Sequence, residues 1–171
     1  MIVLSVSLFI VACTSPKEKL SNKINEGEKK LFADSVKSYD QTSARELVTA
    51  YIDFTKSFPA DSVSPLYLFK AAEVANGILK LPVEALEYYN WVVEKYPTHE
   101  KASVSLFLEG FISENNLKNN EKAKKYYEEF LSKYPDHSLS KDVKFSLEHL
   151  GMSDEDLIKM FEEKNKETPA N

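Results

Sequence analysis

Ala85-Leu86-Glu87-Tyr88-Tyr89-Asn90-Trp91-Val92-Val93-Glu94-Lys95-Tyr96-Pro97 decides the fold. Its pattern returns without a gap in Ala123-Lys124-Lys125-Tyr126-Tyr127-Glu128-Glu129-Phe130-Leu131-Ser132-Lys133-Tyr134-Pro135. A third version runs from Leu47 to Phe58-Pro59 and keeps Tyr51 where the others have Tyr89 and Tyr127. The prolines at 59, 97 and 135 set the period at 38 residues. Phe69, Phe107 and Phe145 form another column at that spacing, with Leu31 one period earlier. Self-similarity at a fixed period of tens of residues is the signature of a repeat architecture.

Chemistry inside the unit explains the columns. Ala85, Tyr89 and Val92 stand at i, i+4 and i+7, one stripe of a helix, and Ala123, Tyr127 and Phe130 repeat it. The small alanine lets a neighbouring helix approach, and the large ring fills the space beside it. An aromatic followed by proline closes each of these helices, because the residue before proline is pushed out of the α region. A second helix precedes each one: Leu68, Ala72 and Ala75 make its stripe in one unit, and Leu106, Gly110 and Ser113 in the next. Turn-rich stretches, Asn76-Gly77 on to Pro82 and Asn115 to Asn120, join the two helices. Only 4 glycines and 7 prolines occur in 171 residues, which favours helix over the frequent turns strands need. The expected class is all-α.

This unit resembles the tetratricopeptide repeat, a helix–turn–helix of about 34 residues. The longer version with a closing Tyr-Pro looks most like the BamD-like group of outer-membrane assembly lipoproteins. It is also similar to the coordinator proteins of the Tol–Pal system. The resemblance covers about residues 40 to 150. It implies a right-handed solenoid of about three tetratricopeptide-like hairpins with a terminal capping helix. In that family the first helix of each hairpin lines the concave side, and the repeat serves protein partners. The repeat domain is expected over 23–163, with units at about 23–59, 60–97 and 98–135 and a partial unit and cap at 136–163. The end units drift, with Asp34 and Glu148 in the column of Ala72 and Gly110. Ser153-Asp154-Glu155-Asp156 reads as a capping box opening a last helix, whose Leu157, Met160 and Phe161 are expected to seal the stack. A disordered tail is expected over 164–171.

The first residues carry a different message. Ile2 to Ala12 is apolar apart from two serines and uncharged, too short to span a bilayer, which takes roughly 20 residues. It ends in Ile10-Val11-Ala12-Cys13, and Cys13 is the single cysteine. That ending resembles a bacterial lipobox, although Ile2 stands where such leaders carry Lys or Arg. The resemblance implies a signal peptide over 1–12, lipidation of Cys13, and a flexible tether over 13–22. The protein is then expected in the cell envelope, anchored to a membrane, with the outer membrane facing the periplasm preferred. An uncleaved anchor or a chance apolar start is the alternative.

Composition excludes some chemistries. A net charge of −5, with Lys and Glu interspersed, gives no basic stripe for nucleic acid. One cysteine and three histidines, His99, His137 and His149, offer no clustered metal ligands, and no cofactor or metal is expected. His99 and His137 share a column two residues after their prolines and read as exposed turn residues. The carboxylates at Glu128-Glu129, Asp154-Glu155-Asp156 and Glu162-Glu163 fit solvated faces or first turns, and no buried acid is expected. No nucleophile elbow or phosphate loop occurs, so no enzyme and no catalytic residue is expected. The expected partner groove is the phenylalanine column Phe69, Phe107 and Phe145, with Phe111 four residues past Phe107. Beside it stand the polar residues Lys70, Glu73, Asn76, Glu114 and Lys144. The competing reading of those rings is ordinary core between hairpins. The expected function is an adaptor for protein partners in the cell envelope; the alternative is a lipoprotein gripping a small ligand or peptide.

Overall fold

The computed structural model describes residues 15–33 and 38–167, the side chains of 154 and 164–167 excepted. These residues form α1 (Pro16–Leu31), α2 (Gln41–Ser57), α3 (Ser64–Gly77), α4 (Pro82–Lys95), α5 (Glu100–Asn115), α6 (Asn120–Lys133), α7 (Ser140–Glu148) and α8 (Asp154–Glu167). No strand occurs among them. Each helix from α1 to α7 lies against the next, and α3 also reaches α5, the contact pattern of hairpins stacked in series. An all-α stack of helical hairpins is therefore what the described residues build.

The repeated columns do the packing. Ala85 and Ala123 are fully buried, as are Tyr51, Tyr127, Phe54 and Phe130, while Tyr89 and Val92 fill the same places in the middle unit. Phe58, Tyr96 and Tyr134 cap α2, α4 and α6, each donating its backbone N–H to the carbonyl four residues earlier. The α3–α4 and α5–α6 turns also carry one non-glycine residue each in the left-handed region, Lys80 at φ 58° and Lys118 at φ 52°, again 38 residues apart. The turn bonds match: Leu81 N–H donates to the Ala75 carbonyl at 2.9 Å, and Asn119 N–H to that of Ser113 at 2.8 Å. Gly110 is required by contact. A Cβ there would lie 2.4 Å from Cε1 of Tyr127, inside the ring's own volume.

Both ends differ from expectation. The stretch 13–22 was expected as a tether, but α1 already begins at Pro16, seven residues before the expected domain start. The reason is local: the Ser15 Oγ accepts from Glu18 N–H at 3.2 Å, Pro16 occupies the first turn, and Lys29 and Lys30 sit at the far end of the helix dipole. Lys17 then pairs with Asp61, tying the start of α1 to the α2–α3 turn. At the other end Ser153 caps α8, its Oγ accepting from Asp156 N–H at 3.2 Å. The seal it makes is partial, since Leu157 and Met160 are half-buried while Ile158 and Phe161 stay exposed. Helix α8 runs on through Glu167, past the 164 at which a disordered tail was expected. The signal peptide over 1–12, Cys13, Asp34 and the last residues, 168–171, lie outside the described residues.

Candidate functional site

A cleft of about 550 Å³ opens where α1, α2 and α3 meet. Its lining combines Phe32 and Tyr39 at the rim, Val74 and Ile78 along one wall, and Glu28, Tyr51, Lys70 and Glu73. The rim rings meet edge to face, with centroids 6.3 Å apart. Both are about half exposed, so their faces are available to an incoming group.

The floor is a three-helix network. Glu28 Oε1, from α1, accepts from the Tyr51 hydroxyl of α2 at 2.6 Å and from Lys70 Nζ of α3 at 2.7 Å. Burial works to raise the Glu28 carboxyl, but the bonds from Lys70 and Tyr51 outweigh it and hold the group below the ordinary carboxylate value. Burial and the Glu28 charge push the Tyr51 phenol well up, so it stays a donor. Glu73 keeps solvent access, yet desolvation along the wall raises its carboxyl, against the pull of Lys101 and Lys70. The lining thus carries one cation and two carboxylates, and one of those carboxylates, Glu28, is already paired with that cation.

The expected groove residues are only partly brought together. Lys70 and Glu73 line the cleft. Asn76 is half-buried near its end, and its Oδ1 lacks a hydrogen-bond partner. The phenylalanine column does not form a uniform row. Phe69 is 6% exposed and packs edge to face on Tyr89 at 5.4 Å, as core. Phe107 is half-buried between Tyr127 and Phe111, while Phe111 is 44% and Phe145 40% exposed. Phe145 stacks on His149 at 4.2 Å and faces Phe161 at 6.0 Å. Lys144 is exposed. Glu114 is half-buried and accepts from the Tyr127 hydroxyl at 2.8 Å, so it fixes a core ring. One column therefore passes from core to surface along the stack, because later hairpins have less protein lying over them.

Sequence reasoning missed the cleft rim, for Phe32 and Tyr39 lie in the one inter-helix segment where the period fails. It also missed an acid. Glu109, on α5, is fully buried, against the expectation that no buried carboxyl exists. Burial and the Glu129 charge push its carboxyl up to about 8, despite opposing help from Tyr126, Lys122 and Asn90. A signal was present: the same column holds Ala71 and Leu147, so Glu109 breaks an apolar position. His137 is less exposed than expected. It is half-buried, its Nδ1 accepting from Leu139 N–H at 3.2 Å, its Nε2 lying 3.1 Å from Ser103 Oγ and its ring on Phe130. His99 keeps to the turn and caps α5 through Nδ1, but it too is half-buried and not exposed as expected.

Among the described residues no group of three or more His, Cys, Asp or Glu is placed to hold a metal, and no helix is long and apolar enough to cross a membrane. No curated protein matches the chain. Residues 105–137, from the middle of α5 through the turn after α6, match the family described as tetratricopeptide repeat. With α1 to α7 of the described residues packed in series and a 38-residue period in the sequence, that match supports a tetratricopeptide-repeat protein, a class of interaction scaffold that is typically non-catalytic.

Proposed function

We propose that this chain is a non-enzymatic, lipid-anchored adaptor of the bacterial cell envelope. Its repeat domain holds a segment of a protein partner, and the role nearest by resemblance is outer-membrane protein assembly. The observation that carries the reading is the cleft between α1, α2 and α3, where two exposed rings overhang a fixed polar floor, in a chain whose residues 105–137 match an interaction-type repeat. Aromatic anchors beside ordered polar groups are what concentrate binding energy in protein interfaces. The lipid anchor rests on the apolar 2–12 stretch ending at Cys13, and two acyl chains would make such an anchor stable.

Two measurements test it. Cells fed labelled palmitate should label the wild-type protein and lose the label in Cys13→Ser; equal incorporation removes the anchor. Cross-linking in intact envelopes should recover a defined partner with the wild type and about tenfold less with Phe32→Ala/Tyr39→Ala. Unchanged recovery removes the cleft as the docking place.

A second reading, a lipoprotein that grips a small molecule or short peptide, draws on the cleft volume of about 550 Å³, which lies in the range of small-ligand sites. Native mass spectrometry of protein taken from its own cells separates the two, since that reading requires a retained ligand lost in the same double variant.

A further inference from the structure

Ser105, Glu109 and Ser113 follow one another along α5 at four-residue steps and are all buried, so they form one polar stripe on a packed face. The Ser113 hydroxyl turns back to the Glu109 carbonyl at 2.7 Å. The Ser105 hydroxyl and both Glu109 carboxyl oxygens meet no hydrogen-bond partner, although Asn90 and Tyr126 lie beside the acid. In the equivalent places of the neighbouring units stand Ala71, fully buried, and Leu147, half-buried. The apolar core divides at this stripe. One cluster joins α1 to α4 and takes Ile112 from α5. The other joins Val93 and Leu106 to Ala123, Tyr127, Phe130 and Val143. Glu109 lies between Leu106 and Ile112, on the border.

We propose that Glu109 is a proton-dependent latch between the two halves of the stack. The seam between the second and third hairpins is closed while this carboxyl carries its proton, and it loosens when the group ionises. An uncharged carboxyl can sit among buried neighbours at moderate cost, whereas a carboxylate there loses its hydration and faces Glu129, which the help of Tyr126, Lys122 and Asn90 does not offset. The groups facing it are known from each side. Helix α6 presents Lys122, Tyr126, Glu129 and, further off, Lys133. Glu129 already holds Lys133 at 2.6 Å, which removes one cation from reach. Helix α4 presents the uncharged Asn90. Helix α3 touches α5 too, but its charged Lys70 and Glu73 belong to the cleft wall.

The direction follows from linkage. Unfolded, the carboxyl has its ordinary value of 4.5; folded, it titrates near 8. Between those values the folded chain binds the extra proton, so the contribution of this group to stability is complete below about 4.5 and is lost as the pH rises through about 8. At most, the folding equilibrium falls about tenfold per pH unit inside that window.

The test uses the full chain in urea unfolding from pH 5 to 9, with hydrogen exchange corrected for intrinsic rates. The wild type should weaken across this range and lose protection in α5, α6 and α7 before α1 and α2. Glu109→Gln should flatten the slope, and Glu109→Leu, which copies the residue of the fourth unit, should flatten it and leave the protein more stable at pH 8.5. The Leu variant carries the comparison if the amide proves too disruptive to fold. A flat wild-type profile, an unchanged slope in the variants, or equal loss of protection in all helices would each overturn the latch. None of these readings involves a partner, so they stand apart from the adaptor proposal.

Discussion

Two glutamates on first helices of their hairpins, Glu28 and Glu109, meet opposite conditions in one stack. Glu28 lies between α1, α2 and α3, half-buried, with a tyrosine hydroxyl and a lysine both donating to one oxygen. Glu109 lies between α4, α5 and α6, fully buried, with neither oxygen satisfied. The first is held below the ordinary carboxylate value and the second is pushed up to about 8. Burial acts in the same sense on both, but Glu109 is buried more deeply and has the Glu129 charge beside it, whereas at Glu28 the Lys70 and Tyr51 donors outweigh the burial. A repeat protein can thus carry a seam that resists alkali and another that does not, with the same backbone around each.

The contrast can be broken or sharpened by substitution. The largest expected effect is at the tight contact of the third hairpin. Gly110→Ala forces the Tyr127 ring aside and should cost about 1–3 kcal/mol in urea unfolding, whereas Gly77→Ala, with open space around it, should be close to neutral. Equal costs would mean that the Tyr127 ring does not crowd Gly110. Next comes Glu28→Gln, which weakens a partly exposed network and should cost about 1 kcal/mol at neutral pH. Because the folded Glu28 value is lowered, its contribution is present above the ordinary carboxylate range and is lost as the pH falls through the folded value. The cost of the substitution should therefore shrink below about pH 4, the reverse of the Glu109 profile. The smallest effect belongs to the turns: Lys118→Gly should gain about 0.5 kcal/mol by relieving a left-handed lysine, and Lys80→Gly should match it. A gain in one turn and a loss in the other, read by thermal unfolding, would show that the two hairpins close differently.

Much of this was legible in the sequence because a repeat states each rule several times. The Tyr51, Tyr89 and Tyr127 column and the closing aromatic-proline pairs placed α2, α4 and α6, and the stripe of Leu106, Gly110 and Ser113 placed the packed face of α5. What stayed hidden depends on how much protein lies over a residue. Phe69, Phe107 and Phe145 are identical in sequence, yet one is core and another is open to solvent, since a column fixes direction along the helix and not the depth of cover. Phe32 and Tyr39 fall in a connection with no counterpart in later units, so no column pointed to them. Glu109 was visible as an intruder among Ala71 and Leu147, but only a column-by-column comparison of the first helices exposes it.

The matching turns at Lys80 and Lys118 carry a mechanical consequence. Each closes its hairpin with a left-handed residue and a backbone bond from the residue after it, so α3/α4 and α5/α6 behave as two stiff plates of the same cut. Bending of such an array is confined to the joints where one plate meets the next. A ligand pressing on the α1–α3 side would then be felt further along the chain as a change of tilt between plates, with the shape of each plate preserved.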